Sequence, residues 1–176
     1  MPIYLLLLGI TSDVIPSWYA NVSSKLDYFN ISNNQIRGMM RDVSMKSSLV
    51  IDLSSNHSEG PMPKLPSTIN VLDLGQNMFS GPISSLCTNR IGSLSYLDLS
   101  HNLSSGERPD CWKEWNMLNI LLLPNNNFSG KIPNSTGFLG WLQALHLSNN
   151  HLTGELPSSL KNCTKLTLYR KKYLHG

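Results

Sequence analysis

Charge is scarce in this sequence: Asp, Glu, Lys and Arg make up 14% of 176 residues, against the roughly 25% usual in soluble proteins. The net charge of +3 comes from 14 basic and 11 acidic residues. Lys165, Arg170, Lys171 and Lys172 supply four of the positives, so the rest is near neutral, with 14 − 4 = 10 basic against 11 acidic residues. A nucleic-acid surface needs a clustered basic stripe, and none is present. There are 3 cysteines and no C-x-x-C pair, which excludes an ordinary zinc site. The histidines, His57, His101, His146, His151 and His175, show no H-x-x-H or H-E-x-x-H spacing. No G-x-S-x-G elbow and no glycine-rich phosphate loop occurs, so no converging acid, base and nucleophile can be assembled from motifs. The reading is a non-enzyme with no metal or cofactor. The longest apolar run, in "MPIYLLLLGI", is too short to span a bilayer. It also lacks the basic start and small-residue cleavage site of a secretory leader. It reads instead as a repeat strand cut short by the chain start.

What the sequence has in quantity is Leu, Asn and Ser, in register. The frame L-x-x-L-x-L-x-x-N-x-L-x-G appears as Leu26, Phe29, Ile31, Asn34, Ile36, Gly38 and again as Ile69, Leu72, Leu74, Asn77, Phe79, Gly81. Leu118, Leu121, Leu123, Asn126, Phe128, Gly130 and Leu142, Leu145, Leu147, Asn150, Leu152, Gly154 follow. Weaker copies are Ile51, Leu53, Asn56, Gly60 and Leu94, Leu97, Leu99, Asn102, Gly106. The asparagines at 34, 56, 77, 102, 126 and 150 stand 22, 21, 25, 24 and 24 residues apart, the period of leucine-rich repeats. The L-x-L portion alternates like a short strand with one buried face. The asparagine follows where the chain turns inward and leaves backbone groups without ladder partners. Its amide carries both donors and an acceptor, so it can satisfy them in its own coil and the next. The glycine four residues later permits a backbone conformation other residues resist.

The expected fold is therefore a leucine-rich-repeat solenoid of the α/β class. Short parallel strands line its concave face, and loops with 3-10 or short helical turns form the convex face. The single domain, 1–176, holds about seven repeats and is uncapped: 1–25 partial, 26–47, 48–68, 69–93, 94–117, 118–141, 142–165 and 166–176 partial.

A second signature follows each glycine: "GPMP" at 60–63, "GPI" at 81–83, "GERP" at 106–109, "GKIP" at 130–133 and "GELP" at 154–157. Together with "IPSWYANVSSKLDYFNISNNQIRG", "PDCWKEWNMLNILLLPNNNFSGKIP" and "LHLSNNHLTGELPSSLKNCTKL", it resembles plant-type leucine-rich repeats. It is similar in particular to the ectodomains of plant receptor-like proteins of the Cf and xylanase-receptor type. The resemblance runs from about Ile10 to Leu168. It departs at Ser58 and Ser104, where the frame wants an apolar residue, and "LTLYRKKYLHG" loses the frame. Family ectodomains are several times longer, with a leader, a cysteine-paired cap and a membrane helix. The chain thus reads as an internal fragment or a truncated copy. The resemblance implies a segment of a cell-surface immune receptor, on the outer face of the plasma membrane, that recognises a protein, peptide or glycan elicitor. Co-receptor kinases would be partners of the full-length protein; nucleic acid would not, and this segment would not itself touch the membrane. The alternatives are a secreted inhibitor of a pathogen enzyme, like the polygalacturonase-inhibiting proteins, and a truncated, non-functional paralogue.

Side chains between the buried leucines stack into concave columns. The first reads Tyr28, Val50, Val71, Tyr96, Ile120, Ala144; the second Asn30, Asp52, Asp73, Asp98, Leu122, His146; the third Ser32, Ser54, Gly75, Ser100, Pro124, Ser148. From these, Tyr28, Asn30, Val50, Asp52, Val71, Asp73, Tyr96, Asp98, Ile120, Leu122 and His146 are the candidate ligand contacts: an apolar column beside stacked aspartates suits a ligand with a hydrophobic anchor and a basic edge. The competing reading is that Asp in "LDLS" merely fills a common wording of the repeat. Cys87 and Cys111 follow their repeat asparagines by ten and nine residues. Equivalent points on adjacent coils lie about 5 Å apart, which suits a disulfide; two buried thiols are the alternative, and Cys163 is left over. Sequons occur at Asn21, Asn30, Asn56, Asn102, Asn127, Asn134 and Asn162. Asn56 and Asn102 have inward-facing amides, so Asn21, Asn134 and Asn162 are the expected glycan acceptors.

Overall fold

Between residues 26 and 165 each coil has a three-residue strand whose central phenylalanine, isoleucine or leucine is buried while its two neighbours are not. In the computed structural model, which describes residues 3–9, 26–40, 43, 50–89, 91–107 and 110–170, such strands form an eight-stranded parallel sheet. With strands numbered in chain order, it holds β1 (Tyr4–Leu6), β2 (Tyr28–Asn30), β4 (Val50–Asp52), β6 (Val71–Asp73), β8 (Tyr96–Asp98), β10 (Ile120–Leu122), β12 (Ala144–His146) and β14 (Leu168–Arg170). The pairing carries no slip: Tyr28 faces Val50, Val50 faces Val71, and Val71 faces Tyr96. Register is fixed because a one-residue shift would turn every buried leucine to solvent.

A second parallel sheet, of six strands, runs through the same coils. It comprises β3 (Arg37–Met39), β5 (His57–Gly60), β7 (Met78–Pro82), β9 (Leu103–Glu107), β11 (Asn127–Gly130) and β13 (His151–Leu152). The sequence reading gave this side only loops and turns. Its strands are short and interrupted by glycine, so they carry little of the alternation that marks a strand. The glycines four residues after each asparagine have φ of 70° to 84° from Gly38 through Gly154, which only glycine adopts cheaply. The third side is made of 3-10 turns at Ile83–Asn89, Asp110–Glu114, Asn134–Phe138 and Ser158–Asn162. Pro133 and Pro157, extended with φ of −70° and −64°, cap the last two. This is the physical use of the proline in "GKIP" and "GELP".

The core is one continuous cluster built on the frame residues and on apolar residues between the frames such as Ile83, Leu86, Ile91 and Leu139, and Trp112 and Trp115 are fully buried in it as well. Ser58 and Ser104, the departures from the frame, sit at 0% exposure with hydroxyls that have no protein partner.

The frame asparagines are hydrogen-bonded from coil to coil. Asn126 Nδ2 donates to the carbonyls of Leu99 (2.7 Å), Leu123 (3.3 Å) and Pro124 (3.2 Å), while its Oδ1 accepts the Ser104 N–H at 3.0 Å. Asn150 repeats the pattern with Leu123, Leu147 and Ser148 as acceptors and the Phe128 N–H as donor. At the other end, Asn34 Nδ2 donates to the Leu7 carbonyl at 2.9 Å, tying the coil of β1 to the rest. The residue before each asparagine is left-handed: Asn33, Ser55, Gln76, His101, Asn125 and Asn149 have φ of 53° to 56°. Asn is favoured there because its short polar side chain tolerates that region.

Candidate ligand-binding face

The eight-stranded sheet presents two side-chain columns outward, those beginning at Tyr28 and Asn30. The third column lies just past the strands and is mostly buried, at Ser32, Gly75, Pro124 and Ser148, because the chain has already begun to turn inward there. Between β2 and β8 the first two columns enclose an open depression of about 450 Å³. Tyr28, Val50, Val71 and Tyr96 form its apolar wall, Asn30, Asp52 and Asp73 its polar edge, and buried Phe29 also lines it. Seven of the sequence-derived contacts thus meet in one place. Asp98 adjoins it through Tyr96, whose hydroxyl donates to Asp98 Oδ2 at 3.4 Å. Ile120, Leu122 and His146 continue the columns in register but do not line the depression; the His146 ring lies 2.7 Å from the Ser148 hydroxyl.

The aspartates are held by their own backbone. Oδ1 of Asp52, Asp73 and Asp98 accepts the N–H two residues on, from Ser54 (3.0 Å), Gly75 (2.9 Å) and Ser100 (2.7 Å). This explains in local terms why the repeat favours Asp there. Asn30 takes the same role at the first coil, accepting the Ser32 N–H at 2.8 Å while its Nδ2 donates to Asp52 Oδ2 at 2.9 Å. Burial raises the Asp73 pKa from 3.8 to about 6, opposed by the Gly75 N–H and reinforced by Asp98 and Asp52. Burial, then Asp98 and Asp73, push the Tyr96 phenol well above its ordinary value, so it stays protonated and its hydroxyl remains a donor. Behind the wall, a residue outside the repeat frames supports Tyr28: Tyr4 stacks on it with ring centroids 4.6 Å apart. Its signal was a tyrosine 24 positions upstream, one coil length.

Elsewhere, Cys87 is disulfide-bonded and Cys163 is a buried free thiol donating to the Thr136 carbonyl at 3.3 Å. The side chain of Cys111 lies outside the described residues, as does Asn21. Among the described residues no cluster of three or more His, Cys, Asp or Glu is placed to hold a metal, and no helix is long and apolar enough to cross a membrane.

A double-sheeted coil with an asparagine ladder and a solvent-facing concave sheet defines a leucine-rich-repeat solenoid. The Leucine Rich Repeat family model matches residues 93–115 and 141–163. The resemblance to plant receptor-like proteins is shown by Receptor-like protein EIX2 of Solanum lycopersicum, 46% identical over 112 residues, which are 62% of this chain and 11% of that protein. The chain therefore spans about a tenth of the length of that relative. Among solved structures, the plant peptide hormone receptor RGFR1 in complex with RGF2 superposes with a TM-score of 0.75 at 30% identity, over 84% of this chain and 24% of that one. The Arabidopsis receptor kinase HAESA, in complex with the peptide hormone IDA and the co-receptor SERK1, gives 0.74 at 30% identity, over 98% and 33%.

Proposed function

We propose that this chain is a ligand-recognition segment of a plant cell-surface receptor-like protein, and that an extended peptide or a loop of a protein elicitor lies in the depression between Tyr28 and Tyr96. The supporting observation is the depression itself, where two tyrosines and two valines meet the edge of the aspartate column. Rigid aromatics beside a few fixed polar groups are the composition of a recognition hot spot. The reading is of a binding module, not an enzyme, acting at the outer face of the plasma membrane. Similarity to receptors solved in complex with RGF2 or with the peptide hormone IDA, and in the latter case with the co-receptor SERK1, supports a peptide ligand and kinase co-receptors that act on the parent protein. A secreted inhibitor would use the same face on a pathogen enzyme, without a co-receptor.

The test is a selection of peptides from a random-sequence library on the wild-type chain, followed by affinity measurement on Tyr28→Ala and Tyr96→Ala. Each substitution is expected to weaken the selected peptides by about tenfold or more with the thermal transition unchanged. Peptides that bind both variants as tightly as wild type would place recognition elsewhere.

A further inference from the structure

The third side of the solenoid repeats as regularly as the sheets do. Its 3-10 turns Asp110–Glu114, Asn134–Phe138 and Ser158–Asn162 end at Glu114, Phe138 and Asn162, each 24 residues from the next. The strands they lead into pair at the same offset, Ile120 with Ala144 and Ala144 with Leu168. The last two turns also close alike. Leu139 N–H donates to the Thr136 carbonyl at 3.1 Å, and Cys163 N–H to the Leu160 carbonyl at 3.0 Å. Phe138 and Asn162 are therefore the same position on neighbouring coils, and their side chains leave the turns in the same direction. The two turns touch there. A Cβ on Gly137 would stand 2.6 Å from the Ser159 carbonyl oxygen, and Cys163 Sγ donates to the Thr136 carbonyl at 3.3 Å. Phe138 is 63% exposed, and Asn162 opens the N-C-T sequon at 162–164.

We propose that an N-linked glycan on Asn162 lies with its first N-acetylglucosamine over the Phe138 ring, which makes this sugar a structural part of the third side. Equivalent points on adjacent coils are about 5 Å apart, the separation at which cross-strand side chains meet. Among the described residues none hydrogen-bonds to the Asn162 side chain, whereas Asn30, Asn56 and Asn102 are engaged. Its amide is thus free to carry sugar without breaking a contact. A pyranose presents C–H groups on its face. The negative face of an aromatic ring attracts them, and the contact takes apolar surface out of water. The sugar hydroxyls stay in solvent. Along the column the other neighbour of Phe138 is exposed Glu114, which offers the ring no apolar cover. Trp141, also exposed, already carries Lys165 Nζ at 3.1 Å from its ring centroid. Asn134, the other acceptor of this side, has Asp110 and Ser158 at the equivalent positions of its neighbours, so its glycan meets no ring along the column.

The experiment uses the chain secreted from a eukaryotic host, with its glycans trimmed enzymatically to a single N-acetylglucosamine. Thr164→Ala removes the sequon and keeps Asn162; Phe138→Ser removes an exposed ring. In the trimmed chain, Thr164→Ala is expected to lower the thermal midpoint by about 2–4 °C, the shift that a contact of aromatic-pair strength gives a chain of this size. In the Phe138→Ser background it should cost nothing further, because both changes remove the same contact. Made in bacteria without sugar, Thr164→Ala and wild type should melt together. Hydroxyl-radical labelling of Phe138 needs no variant: it should be severalfold weaker in the trimmed chain than in one stripped of all sugar. Absence of sugar from Asn162, an equal loss of midpoint with and without Phe138, or equal labelling of Phe138 in the two forms overturns the contact.

Discussion

Asp73 is in conflict with its surroundings. It sits in register between Asp52 and Asp98, and burial with those neighbours lifts its pKa from 3.8 to about 6. A carboxyl whose pKa is raised by folding binds its proton more tightly in the folded state. Protonation therefore stabilises the fold as pH falls from about 6 towards 4, and ionisation costs stability as pH rises through the same window. Asp73→Asn removes the charge and keeps an acceptor for the Gly75 N–H. At pH 7 it is expected to be more stable than wild type by about 1 kcal/mol, once solvent screening of a half-buried group is allowed for. Near pH 4 the two should melt together. Equal melting temperatures at pH 7 would show that the column tolerates its charges without cost. The identity of this column was legible in the repeat alignment, because period-two alternation dictates which residues face out. That burial lifts the Asp73 pKa was not legible: it depends on how the stacked coils close around that carboxyl, which no alignment of the repeats displays.

At the scale of the coil, the asparagine ladder joins one element to the next. Asn126 satisfies three carbonyls and one N–H from two coils, and it is 5% exposed. Asn126→Ala would leave the amide's partners inside the core without a replacement, at a cost of about 3 kcal/mol. Denaturant unfolding should show that loss, together with faster amide exchange at Ser104, whose N–H loses its acceptor. A loss below about 1 kcal/mol would mean that water enters the gap and takes over the bonds. This ladder and the concave sheet could be read from the sequence because both repeat at fixed offsets. The second sheet could not, since residues such as those of "RGM" and "HSEG" have neither alternation nor strand propensity. They pair because stacking the coils aligns their backbones. Trp112 and Trp115 were similarly hidden: they lie between one frame and the next, where a tryptophan reads as surface or core with equal ease until the coil closes over it.

Across the whole molecule, the three sides of the coil differ in what they can carry, and glycan placement reads that difference directly. A glycan is bulky and must leave the surface freely. Asn134 and Asn162 are exposed on the third side, within the 3-10 turns, and Asn127 is exposed on the second sheet, an acceptor the sequence reading did not single out. Asn56 and Asn102 are rungs of the buried ladder. Asn30 is the informative case. It lies on the concave sheet, its Nδ2 donates to Asp52 Oδ2 and its Oδ1 holds the Ser32 N–H. A glycan on Nδ2 there would crowd the bond to Asp52, leave Oδ1 its bond to the Ser32 N–H, and cover the depression between Tyr28 and Tyr96. In the folded fraction secreted from a eukaryotic host, peptide mass mapping is expected to find sugar at Asn134 and Asn162 and at Asn127, and none at Asn56, Asn102 or Asn30. Sugar at Asn56 or Asn102 would contradict the ladder, because those amides cannot be both glycosylated and buried. Sugar at Asn30 would leave the fold intact but close the proposed ligand face, and recognition would then have to be sought further along the sheet, towards Ile120, Leu122 and His146.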